Sequence, residues 1–431
     1  MIETAEIINP KRTKDIGFDS WYSYYAGYSS EFVQKILETS SLPKSAVILD
    51  PWNGSGTTTT VANRMGYATV GYDLNPVMAI AAKACLVNRH DYSCLEPLAK
   101  NIIDYAQKLK IPPDHHDPIA TWIIPTRATQ IRKLERAVYS LLINPDCYVS
   151  IANNVDTKMS TIAAFFYVTL FRTIRAFLHP FKASNPTWIK VPKTPHNRVR
   201  PEIGSIYSNF LNEVQTMIAA VNIEEIGVNG NTPYRIDVAS SCLMPQPAES
   251  IDCIITSPPY CTRIDYAVAT MPELSILGFQ PRSSFDTLRR KLIGTSTVPK
   301  EVGPSNIGWG VTCNKFLELL QKHNSKASEN YYYKSHLQYF ESVYSSLTEV
   351  ARILRPAATA VFVVQDSHYK EIHNNLPLIF TEMAENLGLT SVRTEHFSPL
   401  RNMAQRHPHV KKYRTNITAN ESVLCFKKAV T

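Results

Sequence analysis

The sequence predicts an α/β fold in which helices cover both faces of a parallel sheet of about seven strands. Short apolar runs alternate with helical segments along much of the chain, and several of these runs end at an acidic or polar residue. A chain of 431 residues with 44% hydrophobic residues is long enough to bury the core of such a sheet. Two long stretches interrupt the alternation and are predicted to be large insertions.

The first strand–helix–strand–helix unit is predicted near the N-terminus. Residues 46–50 are an apolar run that ends in an acid, Gly54-Ser55-Gly56 allows a turn, and residues 57–65 suit a helix. Residues 67–73 alternate and are rich in β-prone side chains, and residues 76–86 begin with proline and continue as an alanine-rich helix. A unit of this kind makes neighbouring strands parallel.

The remaining core elements follow at longer intervals. They are predicted as strands 234–238 and 251–256, helix 336–354, and strands 359–364, 390–396 and 422–426. The chain is therefore divided into residues 1–89 with the first unit, an insertion at 90–229, a strand and loop at 230–261, a second insertion at 262–333, and the last core elements at 334–431. In such an open sheet, ligands bind at the carboxyl ends of the strands.

Composition narrows the classes of function. The 45 lysine and arginine residues exceed the 37 acidic residues, which favours a polyanionic partner. The eight cysteines include no Cys-x-x-Cys pair, so we predict reduced thiols in a cytoplasmic protein and neither a disulfide framework nor a metal site. The longest apolar stretch, residues 162–171, is too short to span a bilayer, and residues 1–15 lack the apolar core of a signal peptide.

The most informative loop is Ser257-Pro258-Pro259-Tyr260, which follows an apolar strand ending at Thr256. The two prolines fix two φ angles and remove two backbone donors, so the neighbouring carbonyls point outward in a set direction. The Ser257 hydroxyl and the Pro258 carbonyl could accept both N–H bonds of a nucleobase amine and favour the pyramidal geometry in which its lone pair attacks. Tyr260 could stack on the same base, a contact worth roughly 1–3 kcal/mol.

The segment 50–56, Asp-Pro-Trp-Asn-Gly-Ser-Gly, is predicted to lie at the ligand-binding edge of the sheet. A nicotinamide dinucleotide fits poorly, because Thr59 replaces the third glycine of G-x-G-x-x-G and Asp50 would repel a pyrophosphate. Asp50 suits a cationic ligand, and Asp73 after the next strand can accept hydrogen bonds from two ribose hydroxyls. S-adenosylmethionine carries an ammonium and a sulfonium but no phosphate, and therefore matches this pattern.

Several segments together resemble the DNA amino-methyltransferases of the S-adenosylmethionine-dependent, Rossmann-like superfamily. Residues 50–58 are similar to the family's cofactor loop D-P-F-x-G-S-G-T-T, with Trp52 in place of phenylalanine, and residues 256–260 are similar to its catalytic loop. The other similar segments are 24–33, an aromatic N-terminal motif, 71–76, a ribose-binding strand end, and 236–238, 354–364 and 421–426. The order of these motifs excludes the branch that places the catalytic loop first.

The resemblance implies roles for individual residues. Catalytic roles are implied for Ser257, Pro258, Pro259 and Tyr260. Cofactor binding is implied for Tyr25, Tyr28, Asp50, Pro51, Trp52, Gly54, Gly56, Thr57, Asp73, Leu74, Asp237 and Thr256, with Asp237 against the adenine amine. Two features depart from the family pattern: the first insertion falls before the strand of Asp237, and Ala357-Ala358 replace glycine after Pro356.

The loop sequence also bears on the choice of base. Within the family, S-P-P-Y is more often associated with the N4 amine of cytosine, and D-P-P-Y or N-P-P-Y with the N6 amine of adenine. Serine is a neutral acceptor, whereas aspartate adds charge, so we favour cytosine and keep adenine as the alternative. Either base must leave the duplex to be modified, at a cost of about a few kcal/mol.

Recognition of a DNA sequence is expected to come from the insertions, chiefly the first. There, basic residues of the segment 184–200 are interspersed with Trp188 and His196, a mixture that suits phosphates and base edges. The predicted DNA-binding residues are Lys190, Lys193, Arg198, Arg200 and, directly after the catalytic loop, Arg263. The basic segments 282–291 and 401–414, and Trp309, are further candidates.

The favoured hypothesis is a site-specific DNA methyltransferase of a restriction-modification or phage-defence system, acting on double-stranded DNA, with a restriction endonuclease as a candidate partner. Two alternatives stay open: methylation of RNA or of a protein glutamine, and a non-catalytic DNA-binding subunit. Serine before the prolines disfavours glutamine, and no appended RNA-binding module is recognisable. The intact set of site residues argues against a loss of catalysis.

Overall fold

Nine β-strands occur in the computed structural model, which describes residues 2, 4–11, 17–22, 27–155, 158–183, 188–221, 232–261, 264–325, 328–398 and 420–430. They are β1 (Val47–Asp50), β2 (Ala68–Asp73), β3 (Tyr234–Val238), β4 (Ile251–Thr256), β5 (Leu354–Gln365), β6 (Ser367–Tyr369), β7 (Ile372–Asn374), β8 (Leu389–Phe397) and β9 (Glu421–Lys428). Seven form one sheet in the order β3-β2-β1-β4-β5-β9-β8, and β6 pairs with β7. In the seven-stranded sheet β9 runs opposite to the other six strands and pairs antiparallel with both β5 and β8.

The described residues form thirteen α-helices. They are α1 (Ser30–Thr39), α2 (Thr57–Arg64), α3 (Pro76–Ala84), α4 (Tyr92–Lys108), α5 (Pro125–Leu142), α6 (Thr161–Phe177), α7 (Ile203–Ala219), α8 (Tyr266–Ala269), α9 (Met271–Ile276), α10 (Ser284–Lys291), α11 (Gly310–Lys322), α12 (Lys334–Ile353) and α13 (Leu376–Asn386). Helices pack on both faces of the seven-stranded sheet, which confirms the predicted fold class. No helix in the described part of the chain is long and apolar enough to cross a membrane.

Local sequence explains where the helices beside the sheet edge begin. The Asn75 side chain caps α3 by accepting from the Val77 amide at 3.1 Å, and Pro76 occupies the first turn, where an N–H is not needed. α2 begins after Gly56, whose φ of 89° is left-handed. A Cβ on Gly56 would lie 2.6 Å from the Cβ of Ala82, so glycine also allows the close approach of α3.

The strand β5 is longer than the sequence predicts. The expected strand 359–364 lies within Leu354–Gln365, because Leu354 already pairs with Ile251 of β4 and pairing resumes at Thr359. The register shifts between Ile251 and Cys253 of β4, so the facing residues of β5 form a bulge. Ala357 adopts a left-handed φ of 64° there, at the position where the family pattern has glycine.

The two faces of the sheet bury separate apolar clusters. In β5, Phe362 and Val364 pack with α11, α12 and α13 on one face. Val361 and Val363 point to the other face and pack with α1 and Ala62 of α2. This alternation follows from the two-residue period of a strand, and it fixes the sheet between two helical layers.

A third cluster joins segments that are far apart in sequence. Residues 92–221, which contain α4 to α7, pack with α3 and with residues 264–292, which contain α8 to α10. We call residues 92–221 and 264–292 the helical body. The later part of the second predicted insertion packs elsewhere, because α11 lies with α12 and α13 on the sheet. The helical body thus combines the first predicted insertion with the segment that follows the catalytic loop.

Candidate active site

One cavity of about 540 Å³ lies at the carboxyl ends of β1, β2, β3 and β4. Its floor consists of residues from the loops after these strands: 50–55, 73–75, 239–241 and 257–259. Its wall consists mainly of residues from α6, α7, α8 and α9 of the helical body, together with Trp21, Tyr22, Gly27 and Tyr28. The volume falls within the range of about 300–1,000 Å³ that is typical of small-molecule sites.

Asp50 joins the tips of β1 and β4. Its carboxylate is buried and accepts from the Thr256 hydroxyl at 2.5 Å, the Tyr28 hydroxyl at 3.0 Å and the Trp52 amide at 3.0 Å. Burial raises the pKa of Asp50 to about 6, although these hydrogen bonds act in the opposite direction. One carboxylate therefore holds the predicted cofactor loop and the catalytic strand together.

Asp73 orders the glycine turn from the end of β2. Its Oδ2 accepts from the Gly54 amide at 3.0 Å, and its Oδ1 accepts from the Asn75 amide at 2.8 Å. Each carboxylate oxygen has a second acceptor position. Burial raises the pKa of Asp73 to about 7, and the nearby charge of Asp50 adds to this shift. The geometry allows Asp73 to hold the turn and to accept from ligand hydroxyls.

The catalytic loop borders the cavity and contains a buried hydroxyl close to the Tyr260 side chain. Ser257, Pro258 and Pro259 line it, and the buried Ser257 hydroxyl has no hydrogen-bond partner among the described residues. The Pro259 carbonyl accepts from the Tyr339 hydroxyl at 2.9 Å, which attaches the loop to α12. Burying a polar group without a partner is unfavourable, so a ligand donor beside Ser257 would be stabilised.

Tyr260 lies outside the lining of this cavity. Its hydroxyl donates to Glu421 at the start of β9 at 3.1 Å, and burial raises the pKa of both groups. Tyr260 lines a smaller cavity of about 50 Å³, which shares Lys291, Leu292 and Ile293 with the larger one. A space of this size holds only a few water molecules, so a base can stack on Tyr260 only after neighbouring side chains move.

Asp237 also lies apart from the cavity lining. Ile236 and Val238 of β3 pack with residues of α3, whereas the Asp237 side chain is 41% exposed and pairs with Arg235 at 2.5 Å. The loop after β3 instead contributes residues 239–241 to the floor. Strand alternation directs the Asp237 side chain away from α3, and the adenine contact implied for it stays a prediction.

The other predicted cofactor-binding residues divide into three groups. Tyr28, Asp50, Pro51, Trp52, Gly54, Thr57, Asp73 and Leu74 line the cavity. Thr256 does not line the cavity but donates a hydrogen bond to Asp50 in its floor, and Gly56 faces Ala82 instead of the cavity. Tyr25 lies outside the described residues.

The wall contains ion pairs that the sequence analysis did not predict. Arg175 of α6 contacts both carboxylate oxygens of Glu273 in α9, at 2.5 and 2.8 Å, and donates to the Ala269 carbonyl. Arg172 pairs with Glu213 of α7 at 2.6 Å. The two arginines are the only charged residues in the otherwise apolar α6, and charges on such a helix require partners. Two arginines in a helix with no other charged residue could therefore have indicated the ion pairs from the sequence.

A second residue missed by the sequence analysis lies beneath the floor. The Thr58 hydroxyl is 2.5 Å from the Tyr28 hydroxyl and donates to the Ile255 carbonyl at 3.0 Å. Thr58 is fully buried at the start of α2. It therefore extends the hydrogen-bond network of Asp50 from the N-terminal motif to β4.

The predicted DNA-binding residues do not line the cavity. Lys190, Lys193 and Arg200 are exposed, and Arg198 is partly exposed, in the connection between α6 and α7. Arg263 and residues 401–414 lie outside the described residues.

Two of the further candidates have structural contacts instead. Trp309 is 1% exposed and packs near Phe340, so its prediction as a DNA contact is wrong for this conformation. Arg289 pairs at 2.7 Å with Asp265, the buried residue that caps α8. Trp309 is therefore part of the apolar core, and Arg289 is held by an ion pair within the protein.

Comparisons with known proteins identify the relatives of the chain. Residues 5–83 match the N6_N4_Mtase family model, described as DNA methylase. Type II methyltransferase M.BsoBI of Geobacillus stearothermophilus is 22% identical, with 91% of this chain and 84% of that protein covered. Type II methyltransferase M.AvaI of Nostoc sp. is 28% identical, covering 35% of this chain and 33% of that protein.

A solved structure of a putative sarcosine dimethylglycine methyltransferase from Galdieria sulphuraria covers 93% of this chain and 85% of that one. Its TM-score of 0.30 and identity of 10% are too low to support an argument. The family model spans the glycine turn and Asp73, and the similarity to M.BsoBI extends over most of the chain. These two similarities support a DNA amino-methyltransferase.

Proposed function

We propose that the chain is an S-adenosylmethionine-dependent DNA methyltransferase that modifies the N4 amine of cytosine at a specific site. The observation that carries this proposal is the hydrogen bond from Thr256 to Asp50, which holds the cofactor loop and the catalytic loop beside one cavity. A methyl donor on one loop and an amine on the other would lie next to each other there.

The floor suits a cationic nucleoside. Asp50 and Asp73 are two carboxylates whose raised pKa values reflect burial, and a bound cation would stabilise their charged forms. Asp73 would accept from the ribose hydroxyls, and Ser240 and Ser241 of the loop after β3 line the same cavity. S-adenosylmethionine, when bound, supplies a methyl group made electrophilic by the attached sulfonium.

The catalytic loop would hold the acceptor amine. The unpaired Ser257 hydroxyl and the Pro258 carbonyl would accept from its two N–H bonds, which favours a pyramidal nitrogen with an accessible lone pair. The nitrogen would gain the methyl group as the methyl–sulfur bond breaks and leaves a neutral thioether, and one of its protons would then pass to solvent. Tyr260 would stack on the base once the side chains around the smaller cavity have moved.

Cytosine is the favoured base because Ser257 adds a neutral acceptor, as in the S-P-P-Y loops associated with N4 methylation. The N6 amine of adenine is the second candidate, since the family includes enzymes of both kinds and the same two acceptors would fit either amine.

Duplex DNA is the favoured substrate because the relatives are Type II methyltransferases and the chain carries a net charge of +8. We infer a role in restriction-modification, in the cytoplasm and beside a cognate endonuclease. The exposed residues Lys190, Lys193, Arg198 and Arg200 are proposed to extend the DNA-binding surface, with Arg263 near the target base.

The experiment is methyl transfer from labelled S-adenosylmethionine to unmethylated plasmid DNA and to tRNA, followed by digestion to nucleosides and mass spectrometry. The proposal expects N4-methylcytosine in the DNA digest. N6-methyladenine would select the second candidate, and label in tRNA alone would refute DNA as the substrate. Cofactor binding without transfer to either nucleic acid would favour the non-catalytic subunit.

A further inference from the structure

Charged side chains are distributed unevenly around the large cavity. The charged residues in its lining are Asp50, Asp73, Arg172, Arg175, Lys182, Glu213, Glu273 and Lys291. Arg172 and Arg175 are each neutralised by a glutamate of the wall. The charges that remain are two carboxylates on the floor and two lysines.

The two lysines differ from the wall arginines in exposure and in partners. Lys182 follows α6, and Lys291 is the last residue of α10. Both are exposed, and neither forms an ion pair within the described ranges, although other surface lysines such as Lys100 and Lys322 do. We call Lys182 and Lys291 the rim lysines.

The cavity is therefore electrically polarised. Its negative groups, Asp50 and Asp73, lie in the floor at the strand ends, and its unpaired positive groups are exposed to solvent. A cationic ligand is favoured at the floor, whereas an anion is favoured at the rim. An exposed ammonium on a long stem is a suitable contact for a phosphate, because it can reach the oxygens without being desolvated.

The place of Lys291 narrows the identity of the anion. Lys291, Leu292 and Ile293 line both cavities, and the smaller cavity contains the Tyr260 side chain. A base that enters beside the catalytic loop brings its own flanking phosphates to this position. Lys182 lies on a different element of the same rim, close in sequence to the basic segment 188–200.

We propose that Lys182 and Lys291 bind phosphates that flank the target nucleotide of duplex DNA. The inference rests on the proposed function, since it requires DNA as the substrate. Lys182 and Lys291 of the helical body would therefore contact the DNA backbone at the opening of the cavity. Lys291 belongs to the basic segment 282–291 that the sequence also indicates, whereas Lys190 and Arg200 then lie farther along the bound duplex.

The test is the salt dependence of DNA binding. Wild-type protein is first shown to methylate DNA, and the affinity for a short unmethylated duplex that carries the modified site is then measured at several salt concentrations. Each phosphate contact contributes about 0.9 to the slope of log K against log salt. We expect Lys182→Gln and Lys291→Gln each to lower the slope by about 0.9, and the double variant by about 1.8.

Three controls separate this role from others. Lys315→Gln removes the same charge from an exposed lysine of α11 outside the cavity lining, and should keep the wild-type slope. Lys182→Arg and Lys291→Arg keep the charge and should restore it. The affinity of the glutamine variants for S-adenosylmethionine, measured by calorimetry, shows whether the rim lysines instead bind the carboxylate of the cofactor.

Each outcome decides between distinct possibilities. Wild-type slopes in both glutamine variants would overturn the inference, as would a loss of cofactor affinity with unchanged DNA binding. A wild-type protein that transfers no methyl group to DNA would overturn the proposed function itself, before any variant is compared.

Discussion

The floor and the wall of the cavity are built in different ways. The floor consists of loops at strand ends, where Asp50, Asp73 and Ser257 lie within recognisable motifs. The wall consists of helices whose polar residues, Arg175 and Glu273, are 98 positions apart and meet only in the folded chain. The comparison shows that local sequence specifies the binding chemistry, whereas distant charge pairs position the surface that faces it.

The largest expected effect comes from breaking the wall. Arg175→Met leaves the carboxylate of Glu273, which is 1% exposed, without its charged partner, although Tyr22 still forms a hydrogen bond with it, and loss of one member of a buried pair costs about 3–5 kcal/mol. The free energy of unfolding, measured with urea, should fall by about that amount. Lys100→Met, which breaks the exposed pair with Glu96, is the control and should cost at most about 1 kcal/mol. Equal losses in both variants would show that burial of the wall pair is unimportant.

The next largest effect tests the floor. Ser257→Ala removes the unpaired acceptor, and loss of one preorganised hydrogen-bonding group at a reacting centre lowers kcat by about 100-fold or more. Steady-state methyl transfer should show this loss with little change in the KM for DNA. Ser208→Ala, at an exposed hydroxyl of α7, should leave both constants unchanged. A wild-type kcat for Ser257→Ala would remove Ser257 from the mechanism.

A smaller effect is expected where the floor meets α3. Gly56→Ala forces a side chain into a left-handed φ of 89° and against the Cα of Ala82 at 2.8 Å. Strain and overpacking of this kind cost about 1–3 kcal/mol. Gly204→Ala is the matched control in α7, where an added Cβ meets nothing within 4 Å, and it should stabilise the protein by roughly 0.4–1 kcal/mol. Thermal unfolding of the two variants should therefore shift in opposite directions.

The smallest effect is a dependence on pH to which the two carboxylates of the floor contribute. The pKa values of Asp50 and Asp73, about 6 and about 7, lie above their ordinary value of 3.8. The folded chain thus binds more protons than the unfolded chain between about pH 4 and 7, so its stability should fall as pH rises through this window. Binding of a cation favours the charged carboxylates and should strengthen over the same window.

Calorimetric titration with S-adenosylmethionine at about pH 5.5 and about pH 8 measures this linkage. The expected result is tighter binding at the higher pH, with proton release that makes the heat depend on the buffer near pH 6. Affinity that is constant across the window would show that neither carboxyl changes its protonation when the ligand binds.

Much of the fold and part of the site could be predicted from sequence because their determinants are local. The apolar runs specify the core strands, the pattern of Gly54 and Gly56 specifies the turn, and Asp50 and Asp73 end their strands at the same edge. Asp237 shows the limit of this reasoning, because its place in the motif did not predict its pairing with Arg235.

The sequence by itself determined the chemistry of the floor, since each of those residues follows its own strand and parallel strands end together. The tertiary structure decided the rest: the union of two separate segments into the helical body, the position of Tyr260 beside Glu421, and the two lysines left without partners. These features depend on which distant side chains neutralise or bury one another, and no spacing along the chain encodes that choice.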